Sequence, residues 1–320
     1  MEEIRQLIGM ELREFEVKFA VAMKSNTPLL DRIMHYIVKR KGKQIRPMFV
    51  FLSARLFGPV NESSYRAAAL VELLHTATLV HDDVVDESME RRGFFSINAL
   101  WKNKIAVLVG DYLLSKGLLL SLENNDFEIL KLLSTAVRQM SEGELLQIEK
   151  TRKLDIGEAV YFEIIRSKTA SLLASACAAG AYSTSGEKSQ AALMRDFGEK
   201  IGVAFQIKDD LFDYGNNQIG KPTGMDIREK KMTLPLIYTL GSTDPQTRRR
   251  IIHIVRNQNR DKARVAEVIQ YVKESGGIRY AEGKMLEYRE AAFGILRSFP
   301  DSAIRKGLES LVIYTTDRSY

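Results

Sequence analysis

A long proline-free stretch with helical spacing of its apolar residues constrains this chain most. The seven prolines stand at positions 28, 47, 59, 222, 235, 245 and 300, so none falls between residues 60 and 221. Apolar residues recur three and four positions apart through that stretch, which is the spacing of one face of an α-helix, and the alternation typical of strands is absent. The pattern predicts helices over residues 65–86, 104–122, 127–150, 158–182, 190–214 and 262–275.

The segments between these ranges predict one domain. Turn-forming residues separate the helices, as at Phe57-Gly58-Pro59 and Asn124-Asn125-Asp126, and no linker is visible. Residues 1–24 alternate acids and bases around an apolar stripe, which predicts a peripheral N-terminal helix. Because the remaining helices are long and mostly apolar, we expect an all-α fold, a single bundle with buried central helices over residues 1–320.

Composition excludes several classes of protein. With 45% hydrophobic residues the chain is too apolar to be disordered. The single cysteine, Cys177, excludes an intrachain disulfide framework and any multi-cysteine zinc or iron–sulfur site. The first residues carry acid where a signal peptide is basic, and no stretch of about 18 uninterrupted apolar residues is present. We therefore expect a cytoplasmic protein.

The charge balance is mildly basic, with 47 Lys plus Arg against 41 Asp plus Glu and a net charge of +6. Such an excess suits a nucleic acid, an anionic membrane surface or phosphorylated substrates. The basic residues of 248–264 are typical of a solvated helix face. No helix-turn-helix, zinc-finger or RNA-binding sheet motif is present, so we set nucleic acid aside.

Two aspartate clusters carry the chemistry. Residues four apart lie on one helix face about 6 Å from each other, so each cluster presents a pair of like charges that repel. Both clusters end apolar runs, where a cation is the natural compensation, and ligands that are all oxygen favour Mg²⁺. The clusters share the spacing DDxxD: Asp82, Asp83 and Asp86 in the first, and Asp209, Asp210 and Asp213 in the second.

Cations occur where bound phosphates need them. A diphosphate is best held by arginine forks and lysine charges around metal ions. The chain offers Lys43 and Arg46 behind Gly42, the pair Arg91-Arg92, and further on Lys168-Thr169, Lys221 and Lys231. The pattern indicates that more than one polyphosphate group is bound.

The two histidines near the first cluster are poor metal ligands. His75 lies about two helical turns before Asp82, so it could touch a substrate, although alone it is more typical of a histidine hydrogen-bonded inside an apolar helix. His81, next to Asp82, is more typical of a structural residue.

These motifs in this order resemble the trans-isoprenyl diphosphate synthases, the polyprenyl synthetase family. The resemblance covers residues 25 to 318 and rests on GKQIRP, LLHTATLVHDDVVDESMERRG, Lys168-Thr169, FQIKDDLFD, GKPTGMD and KMTLP. The first motif is similar to that of medium- and long-chain members such as octaprenyl and heptaprenyl synthases. The resemblance implies ten or more mostly antiparallel helices around a deep apolar cavity, usually in a homodimer.

The resemblance also implies a role for each motif residue. Asp82 and Asp86, with Asp83 beside them, and Asp209 would hold three Mg²⁺ ions, with Mn²⁺ as a substitute, and Asp210 and Asp213 would complete the second motif. The isopentenyl diphosphate site would consist of Lys43, Arg46, His75 and Arg92. The allylic diphosphate site would consist of Arg91, Lys168, Thr169, Gln206, Lys221 and Lys231. The family usually has Gly-Lys where this chain has Lys230-Lys231, which leaves open which lysine reaches the phosphate, and Arg318 is a weak match to a basic C-terminal tail.

The implied reaction is condensation of isopentenyl diphosphate onto an allylic diphosphate such as farnesyl or geranyl diphosphate. The departing diphosphate leaves an allylic carbocation that the isopentenyl double bond attacks, and the released diphosphate takes the proton. Small residues before the first cluster, Ala77 and Thr78, leave room for a long tail, so we expect a product of about thirty to forty carbons. Transient contact with a membrane surface is expected only for product release.

Three alternatives remain beside this interpretation. A short-chain farnesyl or geranylgeranyl synthase differs only in product length. A terpene cyclase usually lacks the second DDxxD and does not need Lys43 and Arg46. A non-catalytic subunit tends to lose aspartates, and this chain keeps all six.

Overall fold

The computed structural model describes residues 2–39, 42–91, 93–154, 156–215 and 223–317. Within them the chain is almost entirely helical, which confirms the all-α prediction. The elements are α1 (Glu2–Ala22), α2 (Pro28–Lys39), α3 (Ile45–Arg55), α4 (Glu62–Val85), β1 (Glu90–Arg91), β2 (Phe94–Phe95), α5 (Ile97–Leu122), α6 (Phe127–Lys153), α7 (Glu158–Ile165), a π-helix (Arg166–Ala170), α8 (Ser171–Ser185), α9 (Lys188–Phe212), α10 (Met225–Arg228), α11 (Leu234–Ser242), α12 (Pro245–Asn257), α13 (Lys262–Glu274), α14 (Gly277–Leu296) and α15 (Ala303–Thr316).

The structure adds two details that periodicity does not show. The range 158–182 is two α-helices joined by a π-helix, because a single widened turn hardly disturbs apolar spacing. A small antiparallel hairpin also occurs, with Glu90 opposite Phe95 and Arg91 opposite Phe94. Its strands are two residues long, too short to show alternation, and Gly93 at the turn has a φ of +77°.

The chain folds into two compact units, each built from three segments. The first unit comprises Met1–Val137, Leu172–Arg195 and Pro300–Leu311, and the second comprises Arg138–Ser171, Asp196–Phe299 and Val312–Tyr320. The single-domain assignment for residues 1–320 stays a prediction. The N-terminal segment forms α1, which buries Ile4, Ile8, Leu12 and Phe15.

The first unit is built around the pairing of α4 with α5. A capping box starts α4, in which Asn61 Oδ1 accepts from the Ser64 amide at 3.1 Å. Apolar residues of both helices and of α2 form one buried cluster, including Leu73, Val80 and Val109. Gly110 lets the helices approach closely, because a Cβ there would overlap the His81 ring. This packing fixes the end of α4, where the first aspartate cluster lies.

The second unit has its own apolar core. Buried side chains of α7, α9 and α11 to α14 form it, among them Phe162, Ile207 and Val268. A Cβ on Gly277 of α14 would lie 2.5 Å from the Pro235 carbonyl oxygen of α11, so these helices pack at backbone contact. This core holds α9, which carries the second aspartate cluster, against α7.

Among the described residues one helix, α5, has the length and apolarity to cross a membrane. Lys104, Asp111 and Lys116 interrupt its apolar sequence. Its inner face packs on α4, and 33% of its most apolar 18-residue window is buried.

Candidate functional site

The first unit contains a cavity of about 220 Å³ at the start of α3. Three of the residues predicted to hold isopentenyl diphosphate line it: Lys43, Arg46 and His75. Lys43 and Arg46 lie on either side of the N-terminus of α3, whose backbone amides and dipole favour an anion. Pro47 lies in the first turn, where backbone N–H groups have no acceptor within the helix. Its missing N–H therefore costs no helical hydrogen bond. The remaining predicted member, Arg92, lies outside the described residues.

A hairpin closes one side of this cavity. Phe94 and Phe95 of β2 line it, and the backbone of Arg91 lies in the partner strand β1. Tyr36 of α2 also lines the cavity and donates to the Phe95 carbonyl at 2.6 Å. The strands are thereby tied to the helix that precedes Lys43.

The hairpin is also tied to the first aspartate cluster. The Asp83 carbonyl accepts from the Ser88 amide at 2.9 Å and from Asn98 Nδ2 at 3.2 Å. The Ser96 hydroxyl donates to the Ser88 carbonyl at 2.7 Å. The loop after α4 therefore has a fixed path back into α5.

The first cluster occupies the C-terminal end of α4. Asp82 is half-buried, Asp83 is buried and lines the cavity, and Asp86 is the exposed C-cap residue. The C-terminus of a helix carries partial negative charge, so carboxylates there are unfavourable without a cation. Their placement fits binding of a cation from solution.

The second unit contains a cavity of about 630 Å³ lined by most of the other predicted residues. All three aspartates of the second cluster line it, again at the C-terminal end of a helix, α9. The predicted allylic-site residues that line it are Lys168, Thr169, Gln206 and Lys231. Lys221 lies outside the described residues, as does Arg318. Lys231 lines the cavity and Lys230 does not, while the lysine that contacts the phosphate stays a prediction.

A chain of hydrogen bonds orders this cavity. The Thr169 hydroxyl donates to Gln206 Oε1 at 2.7 Å, and Gln206 Nε2 donates to Asp210 Oδ1 at 2.9 Å. The Tyr161 hydroxyl donates to the other Asp210 oxygen at 2.7 Å. Lys168 pairs with Glu144 of α6 and lies 3.4 Å from Gln147 Oε1. The side chains at the π-helix are thus linked to the second aspartate cluster.

The π-helix places Lys168 and Thr169 because two glycines let neighbouring helices touch its backbone. A Cβ on Gly143 of α6 would lie 2.9 Å from the Lys168 amide nitrogen. A Cβ on Gly202 of α9 would lie 2.5 Å from Ala170 Cα. The widened turn is held between α6 and α9, and π-turns of this kind are frequent at functional sites.

A further carboxylate that the sequence analysis missed belongs to this cavity. Asp226, in the turn between α9 and α11, lines it beside Asp213. Asp213 accepts from the Met225 amide at 2.7 Å and from the Asp226 amide at 3.1 Å, which holds the turn against α9. The motif GKPTGMD contains Asp226, but a single acid in a turn has no periodicity that would mark it.

Burial raises the pKa values of the carboxylates in this cavity. The pKa of Asp210 is raised to about 6, and repulsion from Asp209 contributes to the shift. Burial also raises the pKa of Asp226 to about 7, where Asp210 and Asp213 add repulsion and Lys231 opposes it. The pKa of Asp213 is raised by burial too. Lys231 Nζ lies 3.8 Å from Asp226 Oδ1 and closer, at 2.5 Å, to Glu229.

A cluster of carboxylate oxygens fits a hard divalent cation. No three acidic, histidine or cysteine side chains of the described segments converge as a complete metal cage.

The two residues predicted to govern product length lie elsewhere. Ala77 is fully buried in the α4–α5 cluster. Thr78 is half-buried, and its hydroxyl donates to the His75 carbonyl at 2.9 Å. Neither lines the two cavities described here. Their effect on product length stays a prediction.

We predict that Asp226→Asn stabilises the metal-free protein at high pH. A carboxyl whose pKa is raised from 3.8 to about 7 binds more protons folded than unfolded between those values, so the free energy of unfolding falls as pH rises through that window. The amide removes this loss of stability, which is on the order of 4 kcal/mol for a pKa raised by about three units. In chelator, Tm of the variant should exceed that of wild type at pH 8 and differ little at pH 4.

The matched control is Asp196→Asn, whose carboxyl is 52% exposed on α9 beside Lys200. It should leave the pH dependence of Tm unchanged. An Asp226→Asn variant with the same Tm difference at both pH values would contradict the assignment of buried, uncompensated charge to this cavity.

Comparisons with known proteins identify the family. The polyprenyl synthetase family profile matches residues 27–272. The octaprenyl diphosphate synthase of Haemophilus influenzae is 33% identical over 322 aligned residues, which span 100% of this chain and 98% of that protein.

Two solved structures are similar over nearly the whole chain. A decaprenyl diphosphate synthase from Rhodobacter capsulatus has a TM-score of 0.92 at 32% identity, covering 99% of this chain and 98% of that one. A polyprenyl synthase from Caulobacter crescentus, complexed with calcium and isoprenyl diphosphate, has a TM-score of 0.90 at 33% identity, covering 99% and 97%. Two DDxxD helix ends, two cation-lined cavities and these full-length matches show that the chain belongs to the polyprenyl synthetase family.

Proposed function

We propose that this protein is a trans-polyprenyl diphosphate synthase that condenses isopentenyl diphosphate head-to-tail onto an allylic diphosphate, farnesyl or geranyl diphosphate. The observation that carries the proposal is the second-unit cavity. It gathers the second aspartate cluster with Lys168, Thr169, Gln206 and Lys231, which are far apart in sequence. Buried carboxylates gathered with lysines on one cavity wall are typical of functional sites.

Each cavity is assigned one substrate. The allylic diphosphate binds in the second-unit cavity, where Lys168 and Lys231 neutralise its phosphates and Thr169 and Gln206 orient them; Arg91 and Lys221 are proposed to assist. Isopentenyl diphosphate binds in the first-unit cavity, where Lys43, Arg46 and His75 contact its diphosphate together with Arg92. Cations and helix amides at a diphosphate form charge-assisted hydrogen bonds, which are roughly twice as strong as neutral ones.

The family uses divalent metal ions, and the donor set fits them. We assign three Mg²⁺ ions to Asp82, Asp86 and Asp209, with Asp83, Asp210 and Asp213 completing the motifs, and Asp226 as a further carboxylate at the second. When bound, such ions stabilise negative charge developing on a departing diphosphate.

The protein's own side chains contribute by holding the diphosphate and by excluding water. Lys168 and Lys231 hold the leaving diphosphate, while apolar walls keep water from the allylic cation. The isopentenyl double bond then forms the new carbon–carbon bond, and the proton lost from the adjacent carbon goes to the released diphosphate. No side-chain nucleophile takes part.

An exposed apolar stripe supports the proposed homodimer. Val107, Leu108, Leu118, Leu119 and Leu122 lie on the outer face of α5 after a break in the helix at Lys102, and all five are exposed. Groups of exposed apolar side chains are common at interaction sites, and homo-oligomers with two-fold symmetry are the commonest assemblies. Light scattering of the purified chain measures this directly, and the mass of a single chain would contradict it. We place the enzyme in the cytoplasm.

The direct test is incubation of the purified chain with farnesyl diphosphate, isopentenyl diphosphate and Mg²⁺, followed by product sizing. We expect polyprenyl diphosphates of about thirty to forty carbons and no turnover in chelator. A terpene cyclase would consume farnesyl diphosphate without isopentenyl diphosphate, and a non-catalytic subunit would give no product alone. Either result would overturn the proposal, whereas a fifteen- or twenty-carbon product would correct its length only.

Removing one ligand from either cluster should abolish turnover without unfolding the protein. We predict that Asp82→Ala and Asp209→Ala each lower kcat by about three orders of magnitude or more, because each removes a metal ligand and no core packing. The control Asp196→Ala removes an exposed carboxylate from α9 and should keep wild-type turnover. Wild-type rates in either cluster variant, with far-UV circular dichroism unchanged, would refute the metal assignment.

Thr78→Phe tests the proposed path of the product tail. Thr78 is the better position for this test than Ala77. Ala77 is fully buried, so a phenylalanine there would overpack the α4–α5 core. We expect Thr78→Phe to shorten the product to about fifteen to twenty carbons while the first condensation continues, since the ring lies about one helical turn before Asp82. Thr78→Val is the matched control, because it removes the hydroxyl bond to His75 without adding length. Long products from Thr78→Phe would show that the tail takes another path.

A further inference from the structure

A strongly basic surface covers α12 and the start of α13. Its exposed residues are Arg248, Arg249, His253, Arg256, Arg260 and Lys262, and we call this set the basic surface. Arg249, His253 and Arg256 lie on one face of α12, spaced four and three apart, opposite the buried Ile251, Ile254 and Val255. The helix is anchored by its apolar side, and Arg249 and Arg256 are exposed on the opposite side.

The carboxylates of this segment already have partners. Asp244 caps α12 by accepting from the Gln246 and Thr247 amides at 2.8 and 3.1 Å. Asp261 caps α13 by accepting from the Ala263 amide at 2.9 Å. Both acids therefore stabilise helix ends rather than the cations of the basic surface.

The third carboxylate, Glu267, is held by two other arginines. Arg250 donates to both its oxygens at 2.8 and 3.0 Å, and Arg264 donates to Oε2 at 2.8 Å. These hydrogen bonds lower the pKa of Glu267 to about 2, so it stays ionised and paired. The fork contact holds Arg250 and Arg264 in place without neutralising the exposed set.

The resulting charge is concentrated. Between Asp244 and Glu267 the sequence has seven Lys or Arg and three Asp or Glu, an excess of four, against a net charge of +6 for all 320 residues. Most of the chain's net positive charge thus falls on a twenty-four-residue segment. None of Arg248, Arg249, Arg260 and Lys262 forms an ion pair within the part of the chain that the structure describes.

The basic surface adjoins the wall of the second-unit cavity. Asn259, between α12 and α13, donates through Nδ2 to the Arg228 carbonyl at 2.5 Å. Arg228 ends α10, which also carries Asp226 of that cavity. The loop between α12 and α13 therefore contacts the turn that carries Asp226.

We propose that the basic surface docks the protein onto anionic phospholipid membranes through the headgroup phosphates. Arginine binds phosphate in fork geometry, and each basic side chain near an anionic leaflet contributes independently. No exposed large apolar side chain lies on the outer face of α12, so the contact is electrostatic, reversible and weakened by salt. The inference goes beyond the proposed function and does not depend on it, although a polyprenyl product would enter such a membrane.

The test is co-sedimentation of the full chain with two kinds of vesicle. One is phosphatidylcholine alone, and the other also contains about 30% phosphatidylglycerol, which makes its surface anionic. We expect binding only to the anionic vesicles, and loss of binding at about 0.5 M salt. The variant R248Q/R249Q/R256Q/R260Q should weaken binding about tenfold or more. The control R13Q/K131Q/R195Q/R279Q removes four exposed cations from other helices and should bind within about twofold of wild type.

Three outcomes would overturn the proposal. Equal loss of vesicle binding in both quadruple variants would mean that binding depends on the net charge of the protein and not on the basic surface. Absence of vesicle binding together with binding of a single-stranded RNA that the R248Q/R249Q/R256Q/R260Q variant loses would assign the surface to nucleic acid. Displacement from vesicles by millimolar inorganic phosphate at constant ionic strength would point to a free-phosphate site. Condensation activity without vesicles is measured in parallel, so failure of the proposed function is recognised separately.

Discussion

The structure depends on carboxylates placed at the negative ends of helices. Asp82 and Asp86 lie at the C-terminal end of α4, and Asp209 and Asp213 at that of α9. Carboxylates four residues apart at the partly negative end of a helix repel one another, and at the second cluster burial raises the pKa of Asp210 and Asp213. A protein can tolerate such an arrangement when a bound cation compensates it, so the unfavourable electrostatics of the metal-free chain are the strongest physical argument for its function.

Close backbone packing of helices holds the aspartate clusters and the nearby lysine side chain in place. Gly110 lies under the His81 ring and lets α5 pack against α4 beside the first cluster. Gly143 and Gly202 hold the π-helix between α6 and α9, which places Lys168 and Thr169 on the cavity that Asp210 lines. Sites built on packed helices keep their geometry better than sites on loops, which suits a reaction governed by position and charge.

Much of this could be predicted from sequence, because helix periodicity and DDxxD spacing are local signals. The predicted ranges coincide with α4, α6, α9 and α13 to within a few residues. The hairpin and the π-helix escaped prediction because two-residue strands and one widened turn leave no period to detect. Asp226 escaped because its importance arises from tertiary contact with Asp213. The roles of the individual binding residues remain predictions, since position on a cavity wall does not measure what binds there.

The most direct test of the central claim is calorimetric titration of the purified chain with Mg²⁺, with and without inorganic diphosphate. If the carboxylates form only part of the metal site, Mg²⁺ should bind weakly to the protein alone and at least about tenfold more tightly when diphosphate is present. By the same linkage, diphosphate affinity should rise as much with Mg²⁺, and Asp209→Ala should lose this coupling. Equal Mg²⁺ affinity with and without diphosphate would contradict the account.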